Sequence, residues 1–201
     1  MTRIRIIGLA LVAASALSAG GAASASAFTE FVAKPSGQSV TASQSELHTF
    51  TIGGASVTCK SAVFTGTAPA EKFTVFEMNP AYSECSAFGF VGSKAKMNEC
   101  KFAMHITGVV DVKCPTGKEI EIEVNNGGPC IVKIPAQTGL KKLEYVNVTG
   151  KNGRASVEAK INIKKIAYTS NRKGVGCPAQ AEEATYTGGS VAEGSGTLEV
   201  K

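Results

Sequence analysis

Two histidines, a single aspartate and a row of glutamates are the residues of this 201-residue chain that could shuttle protons or hold a cation. A serine–histidine–aspartate relay needs a hydroxyl nucleophile, a base, and a carboxylate that orients the base. Asp111 is the only aspartate, so such a relay has to combine it with His48 or His105. The nucleophile carries no signature. There is no G-x-S-x-G elbow, and residues 170–173 (SNRK) fit S-x-x-K without the companion motifs that give that pattern meaning. His105 stands in "KFAMHIT", in phase with Ala103 and out of phase with Phe102 and Met104, as a partly buried structural histidine in a strand would. A glycosidase needs two carboxylates facing each other across a cleft, and no spacing marks a pair. Phosphate-binding and dinucleotide-binding glycine motifs are absent. The residues therefore read as non-enzymatic, with a hydrolase of unrecognised site as a remote alternative.

The densest acidic row lies in "EIEIEVNNGGPCIVKI", residues 119–134. A calcium site needs oxygens converging from several directions. Glu119, Glu121 and Glu123 are two residues apart on one predicted strand and form a line instead. The expected arrangement is a hairpin with Ile120, Ile122 and Val124 in the core and the glutamates facing solvent or the lysines of a neighbouring strand. Gly127 and Gly128 supply its turn. Gly188 and Gly189 are read in the same way, as a turn between strands with φ > 0.

Cys59, Cys85, Cys100, Cys114, Cys130 and Cys177 are the remaining reactive side chains. No two have C-x-x-C spacing, and the histidines stand far apart in sequence, so no zinc site or other cofactor is implied. An even number of cysteines in an exported chain predicts three disulfides. The pairing taken as a working expectation is Cys59–Cys85, Cys114–Cys130 across the hairpin, and Cys100–Cys177.

Charge is unevenly distributed. Residues 133–173 hold ten basic side chains against two glutamates, a net +8, whereas residues 28–132 are net −2 and residues 174–201 net −3. The ten are Lys133, Lys141, Lys142, Lys151, Arg154, Lys160, Lys164, Lys165, Arg172 and Lys173. They form a candidate patch for an anionic partner outside the membrane: a cell-wall polymer, a polysaccharide or lipid headgroups. The bland alternative is a solvated face balanced by acidic strands. Nucleic acid is disfavoured, because aromatic residues are not interleaved with the basic ones.

The elements that must position these residues are strands. Alternation with β-branched and aromatic enrichment runs through "ELHTFTI", "SVTCKSAVFT", "KFTVFE" and "LEYVNVT". In "SVTCKSAVFT" it places Val57, Cys59, Ser61 and Val63 on one face. In "ASVEAKINIKKIAYT" the apolar phase slips after Ile163, which predicts a β-bulge near Lys164 and Lys165. Residues 79–92, with Tyr82, Phe88 and Phe90, read as a cysteine-anchored loop whose aromatics fill the core. The alternative is an exposed recognition loop. The fold class is all-β: an antiparallel sandwich or barrel of about ten to twelve short strands.

Residues 1–27 read as a signal peptide. Arg3 and Arg5 precede an apolar run from Ile6 to Leu17, and Ala25-Ser26-Ala27 forms the cleavage pattern. The run is shorter than the roughly 20 residues that span a bilayer, and no later stretch is long enough. Cleavage before Phe28 lowers the net charge from +5 to +3. Residues 28–45 follow as an N-terminal strand or tether, and residues 46–201 as a single β domain.

"SVTCKSAVFTGTAP", "YSECSAFGFVGSKAKMNEC", and "VKCPTGKEIEIEV" with "CIVKIPAQTGL" together resemble a family of uncharacterised small secreted, cysteine-bridged, β-rich proteins of actinobacterial-type bacteria. The resemblance covers most of residues 56–140. It implies the same compartment and fold class and carries no activity, ligand or site. The function expected is that of an exported, non-enzymatic β domain, secreted or at the cell surface, that binds an anionic surface component or acts structurally. An extracellular inhibitor or interaction module using the loop at residues 79–92 is the alternative.

Overall fold

The computed structural model describes residues 28–125, 127–173, 177–178 and 183–201. The signal peptide expected at residues 1–27 lies outside them. The described residues form strands and turns and contain no helix. The first strands are β1 (Phe31–Lys34), β2 (Ser39–Ile52), β3 (Ala55–Thr67), β4 (Lys72–Phe73), β5 (Val75–Ala87) and β6 (Val91–Lys96). Next come β7 (Lys101–His105), β8 (Val109–Lys113), β9 (Ile120–Asn125), β10 (Pro129–Ile134) and β11 (Gln137–Lys141). The chain ends with β12 (Leu143–Thr149), β13 (Ala155–Ile166), β14 (Thr169–Ser170), β15 (Ala184–Gly194) and β16 (Thr197–Val200). The sixteen strands exceed the ten to twelve expected, and two of them, β4 and β14, are two residues each, too short for any alternation to be read.

The main sheet runs in the order β12-β13-β15-β2-β3-β5-β6-β9-β10-β14, and every pairing is antiparallel. It forks at β5. The upper end of β5 pairs with β6, and its lower end pairs with β7, which carries β8 and then β11. The sheet curls into a half-barrel until β11 lies against β13. There the Asn162 N–H donates to the Lys142 carbonyl at 2.9 Å. The Gln137 side chain donates to the Ala167 carbonyl and accepts from the Ala167 N–H. A three-stranded sheet, β16-β1-β4, lays Phe31 and Leu198 against the inner residues of β13 and β15. Within residues 28–45, Phe31–Lys34 form β1 and Ser39 begins β2. Phe31, Val32, Ala33 and Val40 are buried, and the boundary at residue 45 falls inside β2.

The interior is a filled core. Phe64, Met78, Ile120, Ile122, Leu198 and Val200 are almost wholly buried. The three interior cavities measure about 30, 30 and 20 Å³, room for little more than a water or two each.

The bulge expected near Lys164 and Lys165 is present. Pairing between β13 and β15 shifts between Ile163 and Ile166, and Lys165 has φ 64°. Two features were not expected. In β3 the buried set is Val57 and Cys59, then Ala62 and Phe64, so Ser61 and Val63 face outward. In β2 the ladder to β15 shifts twice between Gln44 and Thr49, which leaves Ser45 and Leu47 without a partner on β15 while Glu46 still pairs with Gly189, and exposes all three.

The disulfides are Cys59–Cys85, Cys100–Cys114 and Cys130–Cys177. The first agrees with expectation, since Cys59 and Cys85 are direct partners across β3 and β5. The other two correct it. A Cys114–Cys130 bond assumes that β8 and β9 are neighbours. Instead β8 pairs with β7, which brings Cys100 opposite Cys114, and β9 pairs with β6. Cys130 is left to the segment beyond β14.

Candidate functional site

The basic stretch does not form one surface. Lys133 faces Glu121 across the β9–β10 hairpin and lies 3.4 Å from it and 3.7 Å from Glu119. Lys96 holds Glu123 at 3.1 Å. Ile120, Ile122 and Val124 are buried behind them. The acidic row is therefore the outer face of a hairpin, neutralised by lysines, and it removes Lys133 from any anion-binding set. Lys151 and Arg154 sit in the β12–β13 turn at the far end of β13. There the Lys151 N–H meets Glu193 and the Arg154 guanidinium donates to the Ser195 carbonyl. Arg172 and Lys173 follow β14 beside β10.

Lys141, Lys142, Lys160, Lys164 and Lys165 do come together, along the line where β11 lies against β13. Lys142 is opposite Asn162 by its carbonyl, and Lys160 and Lys164 flank Asn162 on the outer face of β13. Leu140 and Leu143 are buried, so Lys141 and Lys142 both project outward, the latter from a backbone with φ 85°. All five are free of ion pairs within 4.0 Å among the described residues.

Beside them an open groove of about 460 Å³ crosses the outer face. Its walls are the β2 bulge, with Glu46 and Leu47, and the start of β12, with Lys142 and Glu144. Lys160, Asn162, Thr187 and Gly188 form its floor. The groove exists because β15 carries glycines where the bulge crosses it. A Cβ at Gly189 would lie 2.8 Å from Ser45 Oγ, and one at Gly188 would lie 2.5 Å from His48 Nδ1 on the inner side. Gly188 and Gly189 are thus not the turn expected of them. They are mid-strand, outside the positive-φ set, and their missing side chains admit the bulge on one face and the His48 ring on the other.

His48 is fully buried. Its Nε2 is 3.1 Å from the Gly189 carbonyl, which can only accept, so Nε2 carries the proton. The Ser190 hydroxyl is 3.0 Å from the same nitrogen. Nδ1 then accepts from the Tyr186 hydroxyl at 2.6 Å, which in turn accepts from Tyr82 at 2.5 Å. Burial lowers the histidine pKa to about 4, against the opposing pull of the Gly189 carbonyl, and raises both phenols. The chain of donors runs from the partly buried Tyr82 through the buried Tyr186 to the buried His48.

His105 does meet Asp111. Nε2 and Oδ2 are 2.9 Å apart, and the second carboxylate oxygen accepts the Gly139 N–H at 2.9 Å. Burial opposes ionisation of Asp111, but the Gly139 N–H and His105 outweigh it and hold the carboxyl below its ordinary value. The contacts of this pair join β7, β8 and the bulge of β11. Neither histidine lines the groove or the three interior cavities. Ser170 Oγ is occupied by the Arg172 N–H and lies 3.2 Å from Cys177 Sγ, so residues 170–173 show no serine–lysine contact.

Phe88 and Phe90 are exposed, as the alternative reading of their loop expects, and Leu47 is an exposed apolar residue that the sequence does not single out. Residues 79–92 are mostly strand β5, with Tyr82 packed on Phe50, Phe64 and Tyr186. Phe88 and Phe90 occupy the β5–β6 turn, 42% and 83% exposed; Phe88 lines a small cavity at the edge of the core, and Phe90 does not fill the core. Their signal was Gly89 between them, a turn marker. Leu47, at 58% exposed, was marked by being out of phase with His48 and Phe50.

Three disulfides suit an oxidising, extracytoplasmic compartment. No helix of the described residues is long and apolar enough to cross a membrane. No protein-family model matches the chain, and no curated protein or solved structure matches it.

Proposed function

We propose that this chain is an exported, non-enzymatic β domain that binds an anionic polymer of the cell surface along the β11–β13 seam. One observation carries the reading: five exposed lysines gather there without a counter-ion, whereas Lys34, Lys72, Lys96, Lys113, Lys118 and Lys133 each sit against a glutamate. The groove itself is balanced, with Lys142 and Lys160 against Glu46 and Glu144, and Lys141, Lys164 and Lys165 along the seam beside it supply the excess of positive charge. Asn162 and Thr187 on the floor offer hydrogen bonds to a hydroxyl-rich chain, and the bare Gly188 backbone lets it approach closely. A polysaccharide or wall polymer with regularly spaced phosphates or carboxylates suits that combination better than a compact anion.

Retention on an anionic wall polymer, measured as ionic strength is raised, tests this. The screening length falls from roughly 30 Å at 0.01 M to 8 Å at 0.15 M, and wild-type retention is expected to fall with it. Reversing Lys141, Lys142, Lys164 and Lys165 to glutamate is expected to weaken binding at least about tenfold without lowering the melting temperature. Unchanged retention in that variant would end the proposal.

A further inference from the structure

The apical end of the half-barrel carries a second surface of different chemistry. We propose that this end docks on an anionic lipid bilayer, with Phe90 and Phe88 entering the interface and Arg172 and Lys173 meeting the headgroup phosphates. Phe90 is the most exposed large apolar residue among those described, and Phe88 shares its three-residue turn. Phe88 has φ 52° and Gly89 φ 79°. A left-handed backbone is uncommon for a bulky side chain, and this turn geometry favours asparagine or glycine. The left-handed backbone falls on Phe88, whose half-exposed ring lines the small cavity over Val57, Ile122 and Cys130, and Phe90 is the ring left in solvent. Outliers of this kind cluster where a partner is met.

The cations are fixed in the same end. The Phe88 N–H donates to the Ser56 carbonyl, which sets the aromatic turn beside the β2–β3 turn. On the other side β6 pairs with β9, and β9 with β10. Asn171 is then clamped onto β10: its N–H donates to the Ile131 carbonyl, its Oδ1 accepts the Ile131 N–H, and its Nδ2 donates to the Pro129 carbonyl. Arg172 and Lys173 follow, their N–H groups held by Ser170 Oγ and Asn171 Oδ1. Three strand spacings, roughly 14 Å across the sheet, separate β6 from β14, and Arg172 stands level with Ser93, three residues along from Phe90. Neither cation has an ion pair among the described residues. Of the carboxylates that the register brings to this end, Glu123 is held by Lys96, Glu183 precedes β15 on the far side of the β2–β3 turn, and Glu84 on β5 is exposed level with Lys94, nearer the aromatic turn than the two cations.

An apolar apex rimmed by cations matches a bilayer interface, where aromatic rings settle at headgroup level and each nearby cation adds attraction to anionic lipid. The apex is a convex turn. Two phenyl rings on it fall well short of the ~800 Å² per partner of an ordinary protein interface.

The chain has no tryptophan, so Phe90→Trp gives a single indole reporter. With vesicles containing phosphatidylglycerol its emission is expected to shift to the blue and to be quenched by brominated lipid. Leu47→Trp, on the other surface, is expected to do neither. Phe88→Ser with Phe90→Ser, and separately Arg172→Glu with Lys173→Glu, are each expected to cut partitioning onto these vesicles at least tenfold. A Phe90→Trp emission that stays put with anionic and with neutral vesicles alike overturns the proposal and leaves a protein as the occupant of the turn. Partitioning that survives both phenylalanine changes but is lost on reversing Lys141, Lys142, Lys164 and Lys165 also overturns it, and locates lipid contact at the seam. If the double serine variant fails to fold, the Phe90→Trp emission still decides.

Discussion

His48 has both ring nitrogens committed to partners, and that makes its protonation state a property of the fold. The groups facing it are Tyr82 from β5, Tyr186, Gly189 and Ser190 from β15, and the ring of Phe64 from β3. None is a carboxylate, so an imidazolium there has no counter-ion, and burial holds the pKa at about 4 rather than 6.5. Above pH ~6.5 the residue is neutral in both folded and unfolded states, and its contribution is fully present. As pH falls from 6.5 toward 4 the unfolded chain takes up the proton and the folded one does not. Stability is therefore lost over that window, by roughly 3 kcal/mol in all. Asp111, Glu77 and Glu123 have lowered carboxyl pKa values, so their losses begin only below pH ~4.5. Urea unfolding of wild type and His48→Gln between pH ~7.5 and ~5 separates the two sources. The wild type is expected to weaken across that range, and the variant, less stable at the upper end, to weaken much less. Equal slopes would mean that His48 protonates freely in the fold.

At the scale of elements, what could be read from the chain depended on whether a feature left a mark in apolar phase. The slip from Ile163 to Ile166 is odd, so the bulge of β13 showed in the sequence. The distortion of β2 did not. Its two register shifts against β15 run the same way and add to two residues, an even number, so Val40, Ala42, His48, Phe50 and Ile52 keep one parity across the distorted segment. In β3 both Val63 and Phe64 are apolar, so alternation alone could not choose which faced inward. The cysteine pairs depend on strand neighbours distant in sequence, and local spacing carries no information about them. The groove was illegible for the same reasons, since it needs the hidden bulge and two glycines that read as a turn. The corrected connectivity has an energetic consequence. Loop-closure entropy grows with the span of the bridge, 47 residues for Cys130–Cys177 against 14 for Cys100–Cys114. Replacing Cys130 and Cys177 together by serine is expected to destabilise by about 4 kcal/mol, and the Cys100 and Cys114 pair by about 3 kcal/mol. Denaturant midpoints rank the two. A reversed order would show that native packing around β7 and β8, rather than chain entropy, sets the contribution.

For the molecule as a whole, β1 is the piece whose loss is expected to be felt everywhere. It is the middle strand of β16-β1-β4, and it alone joins the C-terminal strand to the segment before β5. The Phe31 ring packs on Phe73, Phe76 and Tyr145 at centroid distances of 5.3, 6.2 and 5.1 Å. Through them it bridges β4, β5 and β12. Removing β1 leaves β16 and β4 with unpaired edges and opens the inner faces of β13 and β15, where Leu198 now packs. Deleting a buried phenylalanine alone costs about 3–5 kcal/mol, and Val32 and Ala33 are lost with it. That approaches the entire ~5–15 kcal/mol by which a domain of this kind is stable. A chain beginning at Phe28 is expected to unfold in one cooperative transition at the same temperature as the full sequence. One beginning at Pro35 is expected to lack a cooperative transition or to melt far lower. Calorimetry of the two decides. Equal melting temperatures would reduce β1 to a peripheral strap and return residues 28–45 to the role of a tether. A collapse confined to the shorter chain would mean that the sheet carrying both proposed surfaces is held closed from its N-terminal strand.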